Sequence, residues 1–339
     1  MAEFDLIELI RARAAADAGG VGQGSVPGAA AGVVLGIGDD AALLRMPAGH
    51  ELVVTADTLN EGVHFPAGTP AADLGWKALA VNLSDLASMG ARPAWCTLSL
   101  SLPREDAGWV SAFVDGFQEL AAMHGIALVG GDTTRGPLSI AVTAMGWVEC
   151  GAALRRDRAR PGDDVWVSGT LGDAAASLAL DGHVPPASGE PLPAVDPATA
   201  AWLGDRLRRP RPRVAAGRAL MGLAHACVDV SDGLLADLGH VCERSGVGAE
   251  VWVERLPASS ALQRAFGGRR TSFQATGGDD YELCFTAPAA LREPVSLALE
   301  QAGVEATRIG RIVAGEGVRA LAADGTQWRS PQSGYVHFG

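Results

Sequence analysis

The sequence predicts two domains in which strands alternate with helices, in a mixed α/β or α+β architecture. A chain of 339 residues is long enough for two domains of ordinary size. Residues 156–163, RDRARPGD, combine charge with a Pro-Gly pair, which is typical of a domain boundary. In both halves, apolar runs of strand length alternate with longer runs rich in alanine and leucine. We therefore expect an N-terminal domain over 1–150 and a C-terminal domain over 151–339.

The first half of the chain predicts several short strands and three helices. An amphipathic stretch at 3–16 and two Ala- and Leu-rich stretches at 71–89 and 105–124 favour helices. Between them, the Gly-rich segment 19–32 predicts a mobile loop. Apolar runs predict strands at 33–37, 42–46, 51–56, 94–102, 126–130 and 138–148.

The second half predicts a further α/β unit. A strand is expected at 164–168, followed by a helix after the sequence GTLGD and by a Pro-rich insertion at 184–197. Pro210 and Pro212 break the next helical stretch because proline lacks the amide hydrogen that a helix interior needs. Strand and helix patterns then alternate from 226 to 313.

Charge and composition exclude several classes of protein. The chain has 39 acidic and 27 basic residues, a net charge of −12 and a single lysine, Lys77. This balance argues against nucleic acid or an anionic membrane as the main partner. With 48% hydrophobic residues the chain is globular, and no apolar run of about 18 residues predicts a membrane span.

The cysteines and the first residues indicate the compartment. The five cysteines are scattered, form no CxxC pair and lie in apolar surroundings, so we expect small core residues and neither a zinc site nor a disulfide framework. The N-terminal sequence MAEFDLIELI is acidic and amphipathic, unlike a signal peptide. We expect a cytoplasmic protein.

Carboxylates recur directly after apolar runs or inside an apolar helix. Asp39 and Asp40 lie between apolar flanks, which predicts half-buried carboxylates that need a cation. For any one of these aspartates, a turn or helix-cap role is the alternative. The residues in this pattern are Asp39, Asp40, Asp57, Asp85, Asp132, Asp229, Asp232, Asp279 and Asp280.

Asp85 fits the turn or cap alternative least. It lies within KALAVNLSDLASMG, whose apolar period predicts a packed helix, and aspartate is unfavourable in a helix interior. Asn82 lies about one turn earlier on the same side. The pair therefore indicates a polar site on the inward side of a helix.

The carboxylates together predict hard oxygen ligands for Mg²⁺, which binds a few carboxylates, waters and substrate phosphates. Neighbouring hydroxyls come from Thr55, Ser84, Thr133 and Thr134. An EF-hand is the alternative, but DVSDGLLADLGH lacks its spacing and closing glutamate. The chain has no Gly-Lys-Ser/Thr phosphate loop, so metals, Lys77 and arginines would have to neutralise a bound nucleotide.

Six motifs follow one another along the chain: LGIGDDAALL, TADTLNEGVHF, WKALAVNLSDLASMGARPAW, LVGGDTTRGPLSI, VDVSDGLLADLGH and GGDDYELCF. In this order they resemble the thiamine-monophosphate kinase family, and the resemblance runs from about Leu35 to SGYVHF near the C-terminus. This resemblance implies a two-domain fold like that of aminoimidazole ribonucleotide synthetase, with an N-terminal mixed sheet, a C-terminal α/β sandwich, and a homodimer in which the N-terminal sheets pair.

The resemblance also implies ATP and thiamine monophosphate as substrates, thiamine diphosphate and ADP as products, and several Mg²⁺ ions. ATP and metal binding would fall mainly to the N-terminal domain, and the C-terminal domain would complete the site. The implied metal ligands are Asp40, Thr55, Ala56 through its carbonyl, Asp57, Asp85, Asp132, Asp229 and Asp232. The implied ATP contacts are Gly131, Asp132, Arg156 and Ser231, and the implied substrate contacts are His64, Asp279 and Tyr335.

Two positions depart from the family's usual pattern. Asp279 stands where a glutamate is common, and Ala56 stands where a hydroxyl residue is frequent. Two alternatives to the kinase remain: a sister enzyme such as the aminoimidazole ribonucleotide cyclising type, and a non-catalytic metal or nucleotide sensor. His64, Tyr335 and the metal carboxylates favour the kinase over a sensor.

Overall fold

The computed structural model describes residues 10, 12, 32–184 and 191–329, which form two compact units. The N-terminal unit comprises Met1–Leu86 and Ala91–Gly151, and the C-terminal unit comprises Ala87–Gly90 and Ala152–Gly339. The expected helix over 3–16, except for residues 10 and 12, lies outside the described residues, as do most of 19–32, the centre of the 184–197 insertion, and Tyr335.

A hairpin opens the N-terminal unit. Strand β1 (Val33–Leu35) pairs antiparallel with β2 (Leu43–Leu44), so the two expected strands form but are shorter than predicted. The connection carries Asp39 and Asp40, and both residues are exposed. The expectation of half-buried carboxylates is therefore wrong, because the apolar flanks pair with each other and leave the aspartates in the exposed connection.

A four-stranded mixed sheet forms the body of the N-terminal unit. Its strands are ordered β3-β6-β4-β5, and only the β4–β5 pair is parallel. Two strands run past their predicted ends, because β3 pairs with β6 along all eleven residues and β5 pairs with β4 as far as Arg135. The bounds are His50–Asn60 for β3, Arg92–Leu102 for β4, Ala127–Arg135 for β5 and Ser139–Glu149 for β6.

Two helices, α1 (Ala71–Ser88) and α2 (Ala107–His124), pack closely against each other. A Cβ atom at Gly75 would lie 1.9 Å from the Phe113 carbonyl oxygen, and one at Gly116 would lie 1.9 Å from the Ala72 carbonyl oxygen. Backbone therefore meets backbone at this crossing, which any larger residue would block.

The opposite face of the sheet is apolar and partly open. The hairpin packs against it around Trp95, but on β3 the side chains of Leu52 and Val54 are 48% and 56% exposed. Their cross-strand neighbours on β6 are Trp147 and Met145, which are half-buried. A continuous apolar surface therefore extends over β3 and β6.

A six-stranded sheet forms the body of the C-terminal unit. Its order is β12-β9-β11-β7-β10-β8, with only the β9–β12 pair parallel. Buried valines and alanines on the strands form its core with Leu234, Leu238 and Val241. The bounds are Asp163–Ser168 for β7, Ala226–Asp229 for β8, Gly248–Trp252 for β9, Leu283–Pro288 for β10, Ala306–Val313 for β11 and Gly317–Leu321 for β12.

Seven helices of this unit lie within the described residues. Asp196 and Ser259 cap two of them through side-chain oxygens that accept the Thr199 and Leu262 amides. Pro210 and Pro212 fall between two helices, as predicted. The helices are α3 (Asp173–Leu180), α4 (Pro197–Arg208), α5 (Val214–Ala219), α6 (Leu234–Ser245), α7 (Ser260–Phe266), α8 (Arg270–Thr276) and α9 (Arg292–Gln301).

The cysteines are free thiols, and four of them are buried as expected. Cys150 is exposed, because it lies in the turn after β6, so its assignment to the core was wrong. Within the described residues, no helix is both long and apolar enough to cross a membrane.

A buried ion network lies inside the C-terminal unit. The Glu282 carboxylate is fully buried and accepts two hydrogen bonds from Arg213, at 2.6 and 2.5 Å. Arg206 donates to it at 2.9 Å and the Ser168 hydroxyl at 2.6 Å. Bidentate pairing with a guanidinium fixes both the position and the plane of a carboxylate. Glu282 therefore anchors the start of β10 to β7 and to the segment that follows α4.

Replacing Glu282→Gln is expected to destabilise the fold by about 3–5 kcal/mol, because it leaves two buried guanidinium groups without their shared anion. The free energy of unfolding in urea measures the effect. The control Asp205→Asn affects a partly exposed pair with Arg211, 3.8 Å apart, and should change stability by no more than about 1 kcal/mol. Equal stability of the two variants would contradict the prediction.

Candidate active site

Strand β3 and helix α1 place polar groups opposite each other in the N-terminal unit. The Thr55 hydroxyl donates to the Asp85 carboxylate, and the Asp57 amide donates to Asn82 Oδ1 at 3.2 Å. Asn82 is fully buried, and its Nδ2 donates to the Ala78 carbonyl at 3.0 Å, which sets the direction of its amide. Asn82 and Asp85 therefore face the sheet together, as their spacing predicted.

His64 lies in the turn that follows β3. Its Nδ1 accepts the Asn60 amide at 3.0 Å, and its own amide donates to the Asn60 carbonyl at 3.0 Å. In a neutral imidazole, an accepting Nδ1 places the proton on Nε2. His64 therefore closes the turn through one nitrogen and presents an N–H donor at the other.

Ala56 and Gly131 differ in what surrounds them. The side chain of Ala56 lies on the exposed apolar face of β3, opposite to Thr55 and Asp57. Gly131 has a φ of +154°, and a Cβ there would lie 1.8 Å from the Leu98 carbonyl oxygen of the neighbouring strand. Gly131 therefore permits the close pairing of β5 with β4, and the next residue, Asp132, is exposed inside β5 and not after it.

The basic residues differ in accessibility. The single lysine, Lys77, is only 3% exposed on α1, so it is not presented to solvent. Arg156 is exposed, and its carbonyl accepts the Ser245 hydroxyl at 2.8 Å. The preceding Arg155 carbonyl accepts the Cys227 amide of β8, which places Arg156 beside the strand that ends at Asp229.

A second group of candidate residues lies in the C-terminal unit, where β8 leads into α6. Asp229 ends the strand and is 3% exposed. Ser231, Asp232 and Gly233 form the connection, and their three amides all donate to one oxygen of Asp237, each at 3.1 Å. Asp237 therefore fixes the backbone that carries Ser231 and Asp232.

The environment of Asp237 opposes its ionisation. Burial raises the pKa of Asp237 to about 7, the neighbouring Asp232 charge adds to this, and the three amide hydrogen bonds act in the opposite direction. Sequence reasoning missed Asp237. The helix dipole favours aspartate in the first turn of helices in general, so its presence there gave no sign of a special role.

The segment 277–281 packs directly on this connection. The Asp279 amide donates to the Ser231 carbonyl and the Tyr281 amide to the Val230 carbonyl, both at 2.8 Å. A Cβ at Gly278 would lie 2.4 Å from the Ser231 carbonyl oxygen, so the approach needs glycine. The structure thus brings Asp279, an expected substrate contact, next to Ser231, an expected ATP contact.

Asp57 and Asp85 supply carboxylate oxygens, which are ligands that Mg²⁺ prefers in proteins. Among the described residues, no group of three or more His, Cys, Asp or Glu side chains gathers closely enough to hold a metal ion. Mg²⁺ commonly takes one or two carboxylates and completes its shell with water and substrate phosphates. The hydrogen bonds of Thr55 with Asp85 and of Asp57 with Asn82 join the strand that carries Asp57 to the helix that carries Asp85.

Two protein-family models match the chain, one in its N-terminal half and one in its C-terminal half. The family model "AIR synthase related protein, N-terminal domain" matches residues 38–148, and the corresponding C-terminal domain matches residues 160–322. Thiamine-monophosphate kinase of Salmonella typhimurium is 45% identical over 90% of this chain and 92% of its own length. That of Escherichia coli K12 is 44% identical over 90% and 92%.

The chain belongs to the thiamine-monophosphate kinase family.

Solved structures of the thiamine-monophosphate kinase family have the same fold. The crystal structure of the Stenotrophomonas maltophilia enzyme is 54% identical, with a TM-score of 0.83 over 97% of this chain and 98% of that one. AaThiL complexed with AMPPCP and TMP is 34% identical, with a TM-score of 0.74 over 87% and 89%. The resemblance and the two-domain fold class are confirmed, whereas the pairing of sheets across a dimer stays a prediction.

Most of the candidate residues fall within the two matched ranges of the family models. Those from Asp40 to Asp132 lie within the N-terminal domain, and those from Asp229 to Asp279 lie within the C-terminal domain. In sequence, Arg156 falls between the two matched ranges, and Tyr335 falls after the second range. The role of each residue stays a prediction.

Replacing Asp237→Ala is expected to speed hydrogen exchange at the amides of Ser231, Asp232 and Gly233 by about tenfold or more, because each loses its acceptor. Hydrogen–deuterium exchange with peptide resolution measures this. Glu243→Ala, an exposed position on the same helix, serves as control and should leave these amides unchanged. Unchanged exchange in the Asp237 variant would show that other contacts order the connection.

Proposed function

We propose that this chain is an ATP-dependent thiamine-monophosphate kinase, which transfers the γ-phosphoryl group of ATP to thiamine monophosphate and releases thiamine diphosphate and ADP. The reaction would complete the synthesis of thiamine diphosphate. The observation that carries the proposal is 45% identity to a curated thiamine-monophosphate kinase over 90% of the chain. The AaThiL complex with an ATP analogue and TMP, at 34% identity, supports both substrates.

Mg²⁺ is the cofactor that the donor set fits. Asp57, Asp85 and Asp132 would hold it in the N-terminal unit, and Asp229 and Asp232 in the C-terminal unit, with Asp40, Thr55 and the Ala56 carbonyl as further ligands. When bound, Mg²⁺ would neutralise phosphate oxygens that otherwise repel each other. The hydrogen bonds from Thr55 to Asp85 and from Asp57 to Asn82 support this assignment, because they orient the elements that carry the ligands.

The residues of the chain would act mainly by positioning. The acceptor is a phosphate oxygen that already carries charge, so no general base is needed, and in-line attack requires orientation and charge neutralisation. We propose direct transfer without a phosphoenzyme. Gly131, Asp132, Arg156 and Ser231 would contact ATP, and His64, Asp279 and Tyr335 would contact thiamine monophosphate, whose thiazolium ring is cationic.

We further propose that two chains associate through the open apolar face of the N-terminal sheet. Leu52 and Val54 are exposed on β3, next to the half-buried Trp147 and Met145 of β6. An apolar surface that runs along a sheet face is costly to leave in water and marks an interaction site. A cytoplasmic location stays a prediction from the sequence.

For the kinase, we expect Mg²⁺-dependent formation of ADP and thiamine diphosphate from ATP and thiamine monophosphate. Replacing Asp57→Asn should reduce kcat/KM about 100-fold or more, because a charged oxygen ligand near the reacting phosphates is lost. Chromatographic quantification of both products measures the effect. Asp181→Asn changes an exposed aspartate directly after α3 that belongs to no proposed ligand set, so it is the matched control and should stay near the wild-type rate. A wild-type protein that forms no thiamine diphosphate would refute the proposal.

For the dimer, replacing Val54→Glu should convert two-chain particles into single chains, since it places a charge in the apolar interface. Light scattering after size exclusion reports the mass. Val63→Glu alters a residue of similar exposure, 55%, in the turn after β3, and should leave the mass unchanged. A wild type with the mass of one chain would rule out the interface.

A further inference from the structure

Tyr281 has a backbone conformation that its side chain does not favour. Its φ is +51°, in the left-handed region where non-glycine residues are uncommon, and it is only 8% exposed. Asp279, two residues earlier, is also left-handed, with a φ of +67°. Backbone strain of this kind persists only where the surrounding contacts enforce it, and it is concentrated at functional sites.

The contacts that enforce this conformation come from the alternate residues of the same segment. Asp280 is 2% exposed, and both of its oxygens accept the Gly172 amide at 2.9 Å. Glu282 is fully buried in its network with Arg206 and Arg213. Asp280 and Glu282 thus anchor the backbone on both sides of Tyr281.

The side chains of Asp279 and Tyr281 form a hydrogen bond with each other. The Tyr281 hydroxyl donates to Asp279 Oδ1 at 2.9 Å. The Asp279 amide is also held by the Ser231 carbonyl, so both the backbone and the carboxylate of Asp279 have fixed partners. A rigid phenol that is itself mostly buried orients a short carboxylate at low cost in side-chain entropy.

We propose that Tyr281 is a positioning residue for substrate binding, whose hydroxyl holds the Asp279 carboxylate in the orientation that receives the cationic thiamine moiety. This inference rests on the proposed kinase function and on the proposed substrate role of Asp279. It adds a role for Tyr281 in the same substrate site. It explains why a strained, buried tyrosine lies beside the segment that carries Ser231. The hydrogen bond between Tyr281 and Asp279 is linked to Ser231, the proposed ATP contact, only through the backbone of Asp279. Its loss should therefore weaken binding of thiamine monophosphate more than binding of ATP.

The test is the variant Tyr281→Phe, which keeps the ring and removes only the hydroxyl. We expect KM for thiamine monophosphate to rise about tenfold, the usual effect of losing a hydrogen bond to a charged group. Values of kcat and of KM for ATP should stay within about twofold. Thr276→Val removes a nearby hydroxyl that donates to the Ser272 carbonyl at 2.9 Å, and it should leave all three constants unchanged.

A double-mutant cycle with Asp279→Asn separates positioning from a general structural role. If Tyr281 acts through Asp279, adding Tyr281→Phe to the Asp279→Asn variant should produce little further change in KM. Three results would overturn this inference without affecting the proposed function. The effects of the two substitutions on KM could be fully additive. Tyr281→Phe could lower all constants equally together with the melting temperature, or it could have wild-type kinetics. A wild type that forms no thiamine diphosphate would instead overturn the proposed function, and this inference with it.

Discussion

The buried Glu282 carboxylate, clamped by Arg213, Arg206 and Ser168, is the constraint on which the placement of Asp279 in the C-terminal unit depends. A charge without exposure to water is stable only when its partners are in place, so the start of β10 has one permitted position. That position fixes the strained segment before it, and this segment in turn bonds to the connection after β8. The contact between Asp279 and Ser231 thus depends on an ion network whose members lie outside the proposed ligand set.

In the N-terminal unit, amide, hydroxyl and backbone contacts help to order the candidate residues. Glycines 75 and 116 let the backbones of α1 and α2 meet, and Asn82, fixed by its own helix, holds the amide of Asp57. The Thr55 hydroxyl likewise donates to the Asp85 carboxylate, so two polar contacts join β3 to α1. Positioning of charged groups is the main requirement of the phosphoryl transfer that we propose for this chain.

Several features of the candidate site were predictable because they depend on local pattern. The 3.6-residue period placed Asn82 and Asp85 on one side of α1, and Pro210 and Pro212 separated two helices. Other expectations failed where pairing partners decided the outcome. Asp39 and Asp40 are exposed because their apolar flanks pair with each other, and β3 and β5 extend through polar residues because neighbouring strands complete their hydrogen bonds.

The sequence by itself determined the family, the alternation of strands and helices, and the identity of the acidic residues, since motifs and periodicity are properties of neighbouring residues. Only the tertiary structure decided how those residues are held. Asp237 gathers three amides, Asp280 and Glu282 turn inward, and Tyr281 bonds Asp279 within a left-handed segment. These arrangements join residues through burial, backbone strain and contacts between distant strands, and the free energies of such contacts are set by the whole fold and not by any local stretch of sequence.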